Sequence, residues 1–186
     1  KNASQSDKEL VISILSKAFK TNKSVEYILK DTSDARLRAL MEYSFDTCMA
    51  SGKVMLSDDR QACALISYPD QKKSTLKSTI ADIKLILNGV GIGNISKVLD
   101  REKKIAANYP KKEIYYLWYI GVLPESQGRG LGGRLLSEII DDAKSMERPI
   151  YLETSTTENL RFYERYGLKV YGHIDFIYRL FLIRND

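Results

Sequence analysis

A glycine-rich stretch that follows an apolar strand holds the residues best suited to chemistry. Its core is Gln127-Gly128-Arg129-Gly130-Leu131-Gly132-Gly133, and an amphipathic helix begins directly within it. Four glycines in six residues allow a tight turn that brings several backbone N–H groups to one point, where the helix dipole adds partial positive charge. Arg129 and Arg134 add full positive charges. The pattern therefore predicts an anion site and favours a phosphate or pyrophosphate as its ligand.

The flanking elements indicate how this loop is held. Residues Ile114–Val122 are apolar or aromatic on both faces, which is typical of a central strand covered on both sides. The apolar spacing after the loop predicts a helix over Leu131–Ala143, and Ile150–Thr154 follows as a second strand. Strand, turn, helix and strand form a βαβ unit, so the two strands should be parallel with a right-handed crossover.

Hydrophobic spacing and turn residues predict the remaining elements. We expect Asp100–Lys112 to be a solvated face followed by a loop. The other predicted elements are helices at Asp7–Phe19 and Ser33–Cys48, a hairpin at Lys53–Tyr68, two helices within residues 71–112 joined at Gly89–Gly93, a helix at Thr157–Tyr166 and a closing hairpin at Leu168–Arg184 that turns around Gly172–Asp175.

Composition narrows the class of protein. The chain has 186 residues, 44% of them hydrophobic, which fits one globular domain that folds without disulfides or metal. A net charge of +5 is compatible with an anionic ligand but is too small to indicate nucleic-acid binding, and no apolar run approaches the ~20 residues of a membrane span. Two distant cysteines exclude a zinc or disulfide framework, so we expect a reducing, cytoplasmic location. The polar start at Lys1 has no initiator Met and no signal-peptide core, which suggests a trimmed or engineered end.

Two phosphate-binding templates compete for the glycine loop. Gly128-x-Gly130-x-x-Gly133 satisfies the dinucleotide fingerprint, and Glu153 lies 20 residues farther on, where a ribose-binding acid would stand. Against that template, the loop from Val122 is long and two-thirds of the chain precedes it. A Walker A loop is excluded because no Gly-Lys-Ser/Thr follows the glycines.

The second template is the GNAT superfamily of acetyl-CoA-dependent N-acetyltransferases, which the chain resembles closely from Ile114 to about Phe176. The family's pyrophosphate loop, Gln/Arg-x-x-Gly-x-Gly/Ala, is matched by Gln127 to Gly132. A second family motif, an Asn followed by an aromatic pair and Gly-Phe, is matched from Asn159 to Leu168, with Leu in place of the usual Phe. The local sequences around Tyr151–Thr154 and Phe162–Arg165 resemble the puromycin-acetyltransferase-type branch.

The resemblance implies a single GNAT domain over residues 1–186, with a helical insert at about 71–112. Its fold would be a twisted mixed sheet, α/β in class, with helices on both faces. The implied enzyme transfers acetyl from acetyl-CoA to a primary amine and needs no metal. Loop amides from Gly128 to Gly133 would hold the pyrophosphate, the backbone at Ile120 and Val122 would pair with the pantetheine arm, and Asn159 would hydrogen-bond that arm.

The catalytic expectations rest on Tyr163 and Glu153. By resemblance, Tyr163 protonates the leaving thiolate, and a phenol of pKa ~10 can donate to a thiolate whose conjugate acid titrates near ~8.5. Glu153 could take the ammonium proton directly or through water, unless it is a surface or ion-paired residue. His173 is the other candidate base and is otherwise a turn residue. Neither Cys48 nor Cys63 is placed as a nucleophile, so direct transfer in a ternary complex is favoured.

The acceptor has no sequence motif. By resemblance, the segments Ala18–Asp34 and Gln71–Lys112 set its identity, and a small-molecule amine is favoured over a protein, with no nucleic-acid or membrane partner. A CoA-binding sensor without turnover and a dinucleotide enzyme stay as alternatives. The chain could be a monomer or a homodimer. The family's opening strand is not visible before the first helix, so it is either truncated or hidden in Lys1–Ser6.

Overall fold

A computed structural model describes residues 1–185 of the chain, apart from the side chain of residue 77. The helices are α1 (Lys8–Ala18), α2 (Lys23–Ile28), α3 (Asp34–Ser51), α4 (Leu76–Leu85), α5 (Ile95–Ala106), α6 (Leu131–Ser145) and α7 (Glu158–Glu164). The strands are β1 (Gly52–Leu56), β2 (Ala62–Ser67), β3 (Tyr115–Val122), β4 (Ile150–Thr154), β5 (Leu168–Asp175) and β6 (Arg179–Asn185).

The strands form one mixed sheet in the order β1-β2-β3-β4-β6-β5. Only β3 and β4 pair in parallel, as the βαβ prediction requires, and the other neighbours are antiparallel. The predicted mixed sheet with helices on both faces is confirmed. The same topology excludes the dinucleotide template, because that fold needs a mostly parallel, doubly wound sheet.

Different helices cover the two faces of the sheet. Amphipathic spacing turns Val11 and Leu15 of α1 and Phe45 of α3 onto one face, where they are fully buried. On the other face, α6 buries Leu135 and Ile139 in a second core with the sheet. Strand β3 lies between β2 and β4 and contributes side chains to both cores, as expected for a central strand.

The segment between β2 and β3 forms the two predicted helices, α4 and α5. A π-helical turn at Ile86–Val90 follows α4, and Gly91, with φ of 78°, redirects the chain toward α5. Tyr43 of α3 donates a hydrogen bond to Asp82 of α4 at 2.7 Å, which holds the insert against the main body. The expectation that residues from Asp100 onward are only a solvated face is wrong, because Arg101 is 7% exposed.

Two further expectations need correction. The closing hairpin does not turn at Gly172–Asp175, because β5 continues to Asp175 and the turn lies at residues 176–178. Gly172 instead marks a shift in the β5–β6 register, which is the other common meaning of a glycine within a strand. Helix α2 was not predicted, since six residues are too few to show a period, although Asn22 caps it by accepting from the Ser24 and Val25 amides.

The chain's first residues add to the sheet. Ala3 N–H donates to Val54 at 2.8 Å, and Leu56 N–H donates to Lys1 at 2.9 Å. Residues 1–3 therefore lie alongside β1, where Asn2 forms an isolated bridge with Met55.

Candidate active site

A groove of about 1180 Å³ lies between the end of β3, the start of α6 and α7. The structure places most of the predicted cofactor-binding residues along it. Those that line the groove are Ile120, Val122, Gln127, Gly128, Gly130, Gly132, Gly133 and Asn159.

The glycine loop presents backbone amides to this groove. Gly128 and Gly130 have φ of 75° and 77°, a backbone region that residues with a Cβ rarely adopt. Gly130 is also the N-cap of α6, and no side chain caps this helix. The first amides of the helix consequently have no partner within it and, together with the dipole, favour an anion.

Arg129, which the sequence places among the cofactor-binding residues of the loop, does not line the groove. Its side chain is exposed and lies near Asp59 together with Arg134. A hydrogen bond from Ser57 and, less strongly, the charges of Arg134 and Arg129 lower the pKa of Asp59. Both arginines therefore contribute positive potential near the loop and are partly balanced by this carboxylate.

Strands β3 and β4 part next to the groove. Their parallel pairing is limited to Tyr115 with Ile150 and Tyr116 with Tyr151, while β3 continues to Val122. The later residues of β3 therefore have no strand partner on this side. Such a gap between two parallel strands opens a slot through the sheet and leaves backbone hydrogen-bonding groups available to a ligand.

A β-bulge in β3 shapes the slot. Leu65 pairs with Tyr119 and Ile66 pairs with Leu117, so Trp118 is an extra residue on β3. The extra residue places Trp118 and Tyr119 next to each other, with ring centroids 5.6 Å apart. Side chains of β3 still point to alternate faces of the sheet, but the bulge moves this alternation by one residue. Tyr115 and Leu117 before the bulge therefore face the same core as Ile120 and Val122 after it.

A second cavity, of about 500 Å³, lies on the α3 side of the sheet beneath the insert. Its walls come from α2, α3, α4, α5, α7, β3, β4 and β6. This cavity and the groove share Ile120, Asn159 and Tyr163 in their linings. The two spaces therefore meet at the slot between the parted strands.

Tyr163 lies at this meeting point. The side chain is 5% exposed and belongs to the core on the α6 side of the sheet. Burial raises the pKa of its hydroxyl well above the ordinary value, so the group is protonated at neutral pH and can donate a proton or hydrogen bond. The predicted acid residue thus borders both cavities.

Glu153 lies on β4 and lines the second cavity but not the groove. Its Oε2 accepts a hydrogen bond from the Tyr116 hydroxyl at 2.8 Å, whereas Oε1 is buried and has no partner among the described residues. Burial raises the pKa of this carboxyl to about 8, and the positive charge of Arg101 opposes the rise. Glu153 is therefore neither a surface residue nor a ribose ligand, since the glycine loop faces the other space.

Sequence reasoning missed Arg101 and the residues that hold it. Its guanidinium donates to the Tyr178 hydroxyl at 3.1 Å and to the Ser24 hydroxyl at 2.6 Å, and it pairs with Glu102. These contacts tie α5, α2 and the β5–β6 turn together beside Glu153. A single arginine in a lysine-rich insert gave no signal of this arrangement.

The remaining candidates lie elsewhere. His173 is on β5 with a half-exposed side chain, 3.6 Å from Asp175, and lines neither cavity. It is therefore not in a turn and is not placed to act as the base. Cys48 and Cys63 are fully buried free thiols whose pKa is raised by that burial, and neither borders a cavity.

The described residues show neither a cluster of metal ligands nor a membrane-spanning helix. No group of three or more His, Cys, Asp or Glu side chains within residues 1–185 is arranged to hold a metal ion. In the same part of the chain, every helix is too short or too polar to cross a membrane.

Comparisons with known proteins agree with this geometry. Residues 88–168 match the family model described as Acetyltransferase (GNAT) family. An uncharacterized N-acetyltransferase of Schizosaccharomyces pombe is 27% identical over 153 residues, which are 76% of this chain and 62% of that protein. The chain thus matches less than two-thirds of that relative's length.

Solved structures share the fold over the whole chain. A Corynebacterium glutamicum protein described as histone acetyltransferase HPA2 and related acetyltransferase has a TM-score of 0.70 at 18% identity, with 100% of this chain and 93% of that chain covered. A mosquito arylalkylamine N-acetyltransferase like 5b has a TM-score of 0.65 at 16% identity, with 100% and 97% covered. At such identities the likeness concerns the fold alone.

Proposed function

Because residues 88–168 match the GNAT acetyltransferase family model, we propose that the chain transfers acetyl from acetyl-CoA to the primary amine of a small-molecule acceptor. The observation that carries the proposal is the meeting of the groove and the second cavity at Ile120, Asn159 and Tyr163. A cosubstrate in the groove and an amine in the cavity would face each other there. We call the second cavity the acceptor cavity from here on.

The groove suits acetyl-CoA, which supplies the acetyl group as a thioester. The uncapped start of α6 and the turn at Gly128 and Gly130 offer amides for the pyrophosphate. The unpaired edge of β3 near Ile120 and Val122 offers backbone groups to the pantetheine arm, and Asn159 lies across from it on α7.

Glu153 acts as the general base and Tyr163 as the general acid. In its ionised form, Glu153 takes one proton from the ammonium, and the freed nitrogen then bonds to the acetyl carbon as the carbon–sulfur bond breaks. Tyr163 donates its proton to the sulfur and regains one from the amine's second N–H through water. Glu153 finally releases its proton to solvent, so that the overall reaction yields an amide, a thiol and one proton.

Direct transfer fits the cysteines better than an acyl-enzyme does. Both thiols are buried, their pKa is raised, and neither borders the groove or the acceptor cavity. A nucleophilic cysteine needs an accessible thiolate. We therefore place both substrates in one complex.

The test combines binding and turnover. Acetyl-CoA at about 100 times its dissociation constant should add roughly 2.7 kcal/mol of apparent stability, and NAD should add none. A panel of primary amines should then show acceptor-dependent thiol release, which Tyr163→Phe should lower by about 10²–10⁴-fold while keeping the acetyl-CoA shift.

Tyr171→Phe is the matched control, because it removes the same hydroxyl from a residue on β5 that borders neither space. It should leave thiol release unchanged. A melting shift with NAD instead of acetyl-CoA would contradict the proposal. A shift with acetyl-CoA but no thiol release with any amine would indicate a CoA-binding protein without turnover.

A further inference from the structure

The acceptor cavity is enclosed mainly by apolar and aromatic side chains. The insert supplies aliphatic groups that include Leu85, Val90 and Val98, and β3 supplies the indole of Trp118. Phe19 adds a ring that lies edge-on to Tyr119, with centroids 5.1 Å apart. The volume of about 500 Å³ lies within the usual range of small-molecule sites.

One polar group deep in this cavity is incompletely bonded. Glu153 Oε1 is buried without a partner among the described residues, while Tyr116 satisfies the other oxygen of the same carboxyl. An unpaired buried acceptor is costly, and a ligand N–H would remove that cost. This atom therefore marks the position of the amine.

The cavity offers little to an acidic ligand. Arg101 is the buried cation in its wall, and its guanidinium is already occupied by Tyr178, Ser24 and Glu102. The other lining cation, Lys72, belongs to an exposed residue at the edge. A carboxylate next to the amine would lie near Glu153 without a free positive partner, which is unfavourable.

A second ammonium would also lack a free partner inside. The remaining carboxylates of the lining, Asp82 and Glu102, belong to exposed residues and are engaged by Tyr43 and Arg101. These rim charges can attract a cation toward the mouth of the cavity. Beyond the rim, a diamine would bury its second charge among aliphatic side chains.

We infer that the acceptor is a primary monoamine with an apolar, aromatic-sized body and no carboxylate, bound with its nitrogen at Glu153 Oε1 and its body between Trp118 and the insert. This inference rests on the proposed function and specifies its substrate. The insert is consequently the part of the chain that selects the acceptor, and the α5 side chains facing the cavity determine the selectivity.

The first test compares the apparent kcat/KM of four acceptors: phenethylamine, phenylalanine, putrescine and a short peptide with a free N-terminus. Phenethylamine should exceed each of the others by about 100-fold, since each would bury an unpaired charge or require an open groove. Preference for any of the other three would overturn the inference while leaving the acetyltransferase function intact. Thiol release with none of the four, despite an acetyl-CoA melting shift, would overturn both.

A pair of variants tests the location. Leu99 on α5 lines the acceptor cavity and is 64% exposed, whereas Ile92 in the same insert is 73% exposed and lines neither space. Leu99→Glu should lower phenethylamine kcat/KM and raise that of putrescine, changing their ratio by about tenfold. Ile92→Glu introduces the same charge and should change the ratio by less than about twofold. Equal ratios in the two variants would place the acceptor outside this cavity.

Discussion

The groove and the acceptor cavity lie on either side of one slot, but they are built on different principles. The groove presents backbone amides from a loop whose shape depends on Gly128 and Gly130. The acceptor cavity presents side chains from eight separate helices and strands, several of them in the insert. A backbone site needs particular residue types at fixed spacing, so it leaves a sequence motif, whereas a side-chain site assembled from distant segments leaves none.

The largest expected effect concerns the acceptor cavity. Glu153→Gln keeps the shape and the hydrogen bond from Tyr116 but removes the proposed base. We expect kcat/KM for the amine to fall by about 10²–10⁴-fold, with the acetyl-CoA dissociation constant unchanged. In the wild type, the ionised carboxyl should limit kcat/KM below its pKa of about 8, so the rate should rise with pH through this value.

The control for this rise of kcat/KM near pH 8, which we call the pH limb, is an acceptor amine of lower basicity. If the limb near pH 8 is due to Glu153, it should stay in place when the amine is changed, and it should vanish in Glu153→Gln. A limb that moves with the amine's own pKa would instead assign the ionisation to the acceptor. Unaltered kcat/KM in the variant would remove Glu153 from the mechanism.

The same group makes a prediction on stability that needs no activity. Its pKa is 4.5 in the unfolded reference and about 8 in the folded protein, so the fold favours the neutral carboxyl. That stabilisation is complete below the unfolded value and is lost as pH rises through about 8. The free energy of unfolding measured in urea should therefore fall over this pH window for the wild type relative to Glu153→Gln. Parallel curves of this free energy against pH would contradict the burial of the carboxyl.

Arg101 should have the next largest effect. Its positive charge lowers the pKa of Glu153, so Arg101→Gln should move the rise of kcat/KM near pH 8 to higher pH. Each unit of movement costs roughly tenfold in ionised Glu153 at neutral pH, which should appear in amine kcat/KM and not in acetyl-CoA binding. Arg101→Lys keeps the charge and should keep the limb near pH 8.

Sequence could predict the parallel βαβ unit that starts at β3 and the glycine loop within it, because both depend on local patterns. The apolar run at Tyr115–Val122 and the hydrophobic period of α6 determine these elements with few alternatives. The parting of β3 from β4 and the extra residue at Trp118 depend on long-range register, which no local pattern specifies. Glu153 could be named as a candidate, but its burial depends on contacts from α5 that join residues far apart in the chain.

The next prediction concerns the binding of acetyl-CoA in the groove, and its expected effect is smaller. Gly130→Ala introduces a Cβ at φ of 77°, where a residue other than glycine costs about 1–2 kcal/mol. We expect acetyl-CoA to bind roughly tenfold more weakly, while the relative rates with different amines stay the same. Gly93→Ala is the control, since Gly93 lies in the insert and a Cβ there would meet no atom within 4 Å. Equal acetyl-CoA affinity in both variants would contradict binding by the loop amides.

The smallest expected effect is at His173, and it decides how the pH limb is interpreted. Histidine has an ordinary pKa of ~6.5 and is the side chain most often assigned to a pH limb near neutral pH. His173 is on β5, half-exposed, and borders neither space, so His173→Gln should keep kcat/KM within about twofold at every pH from 6 to 9. Loss of the limb in this variant would transfer the ionisation from the buried carboxyl of the acceptor cavity to a residue outside it. The acceptor cavity would then hold no titrating base, and its role would be reduced to binding the body of the amine.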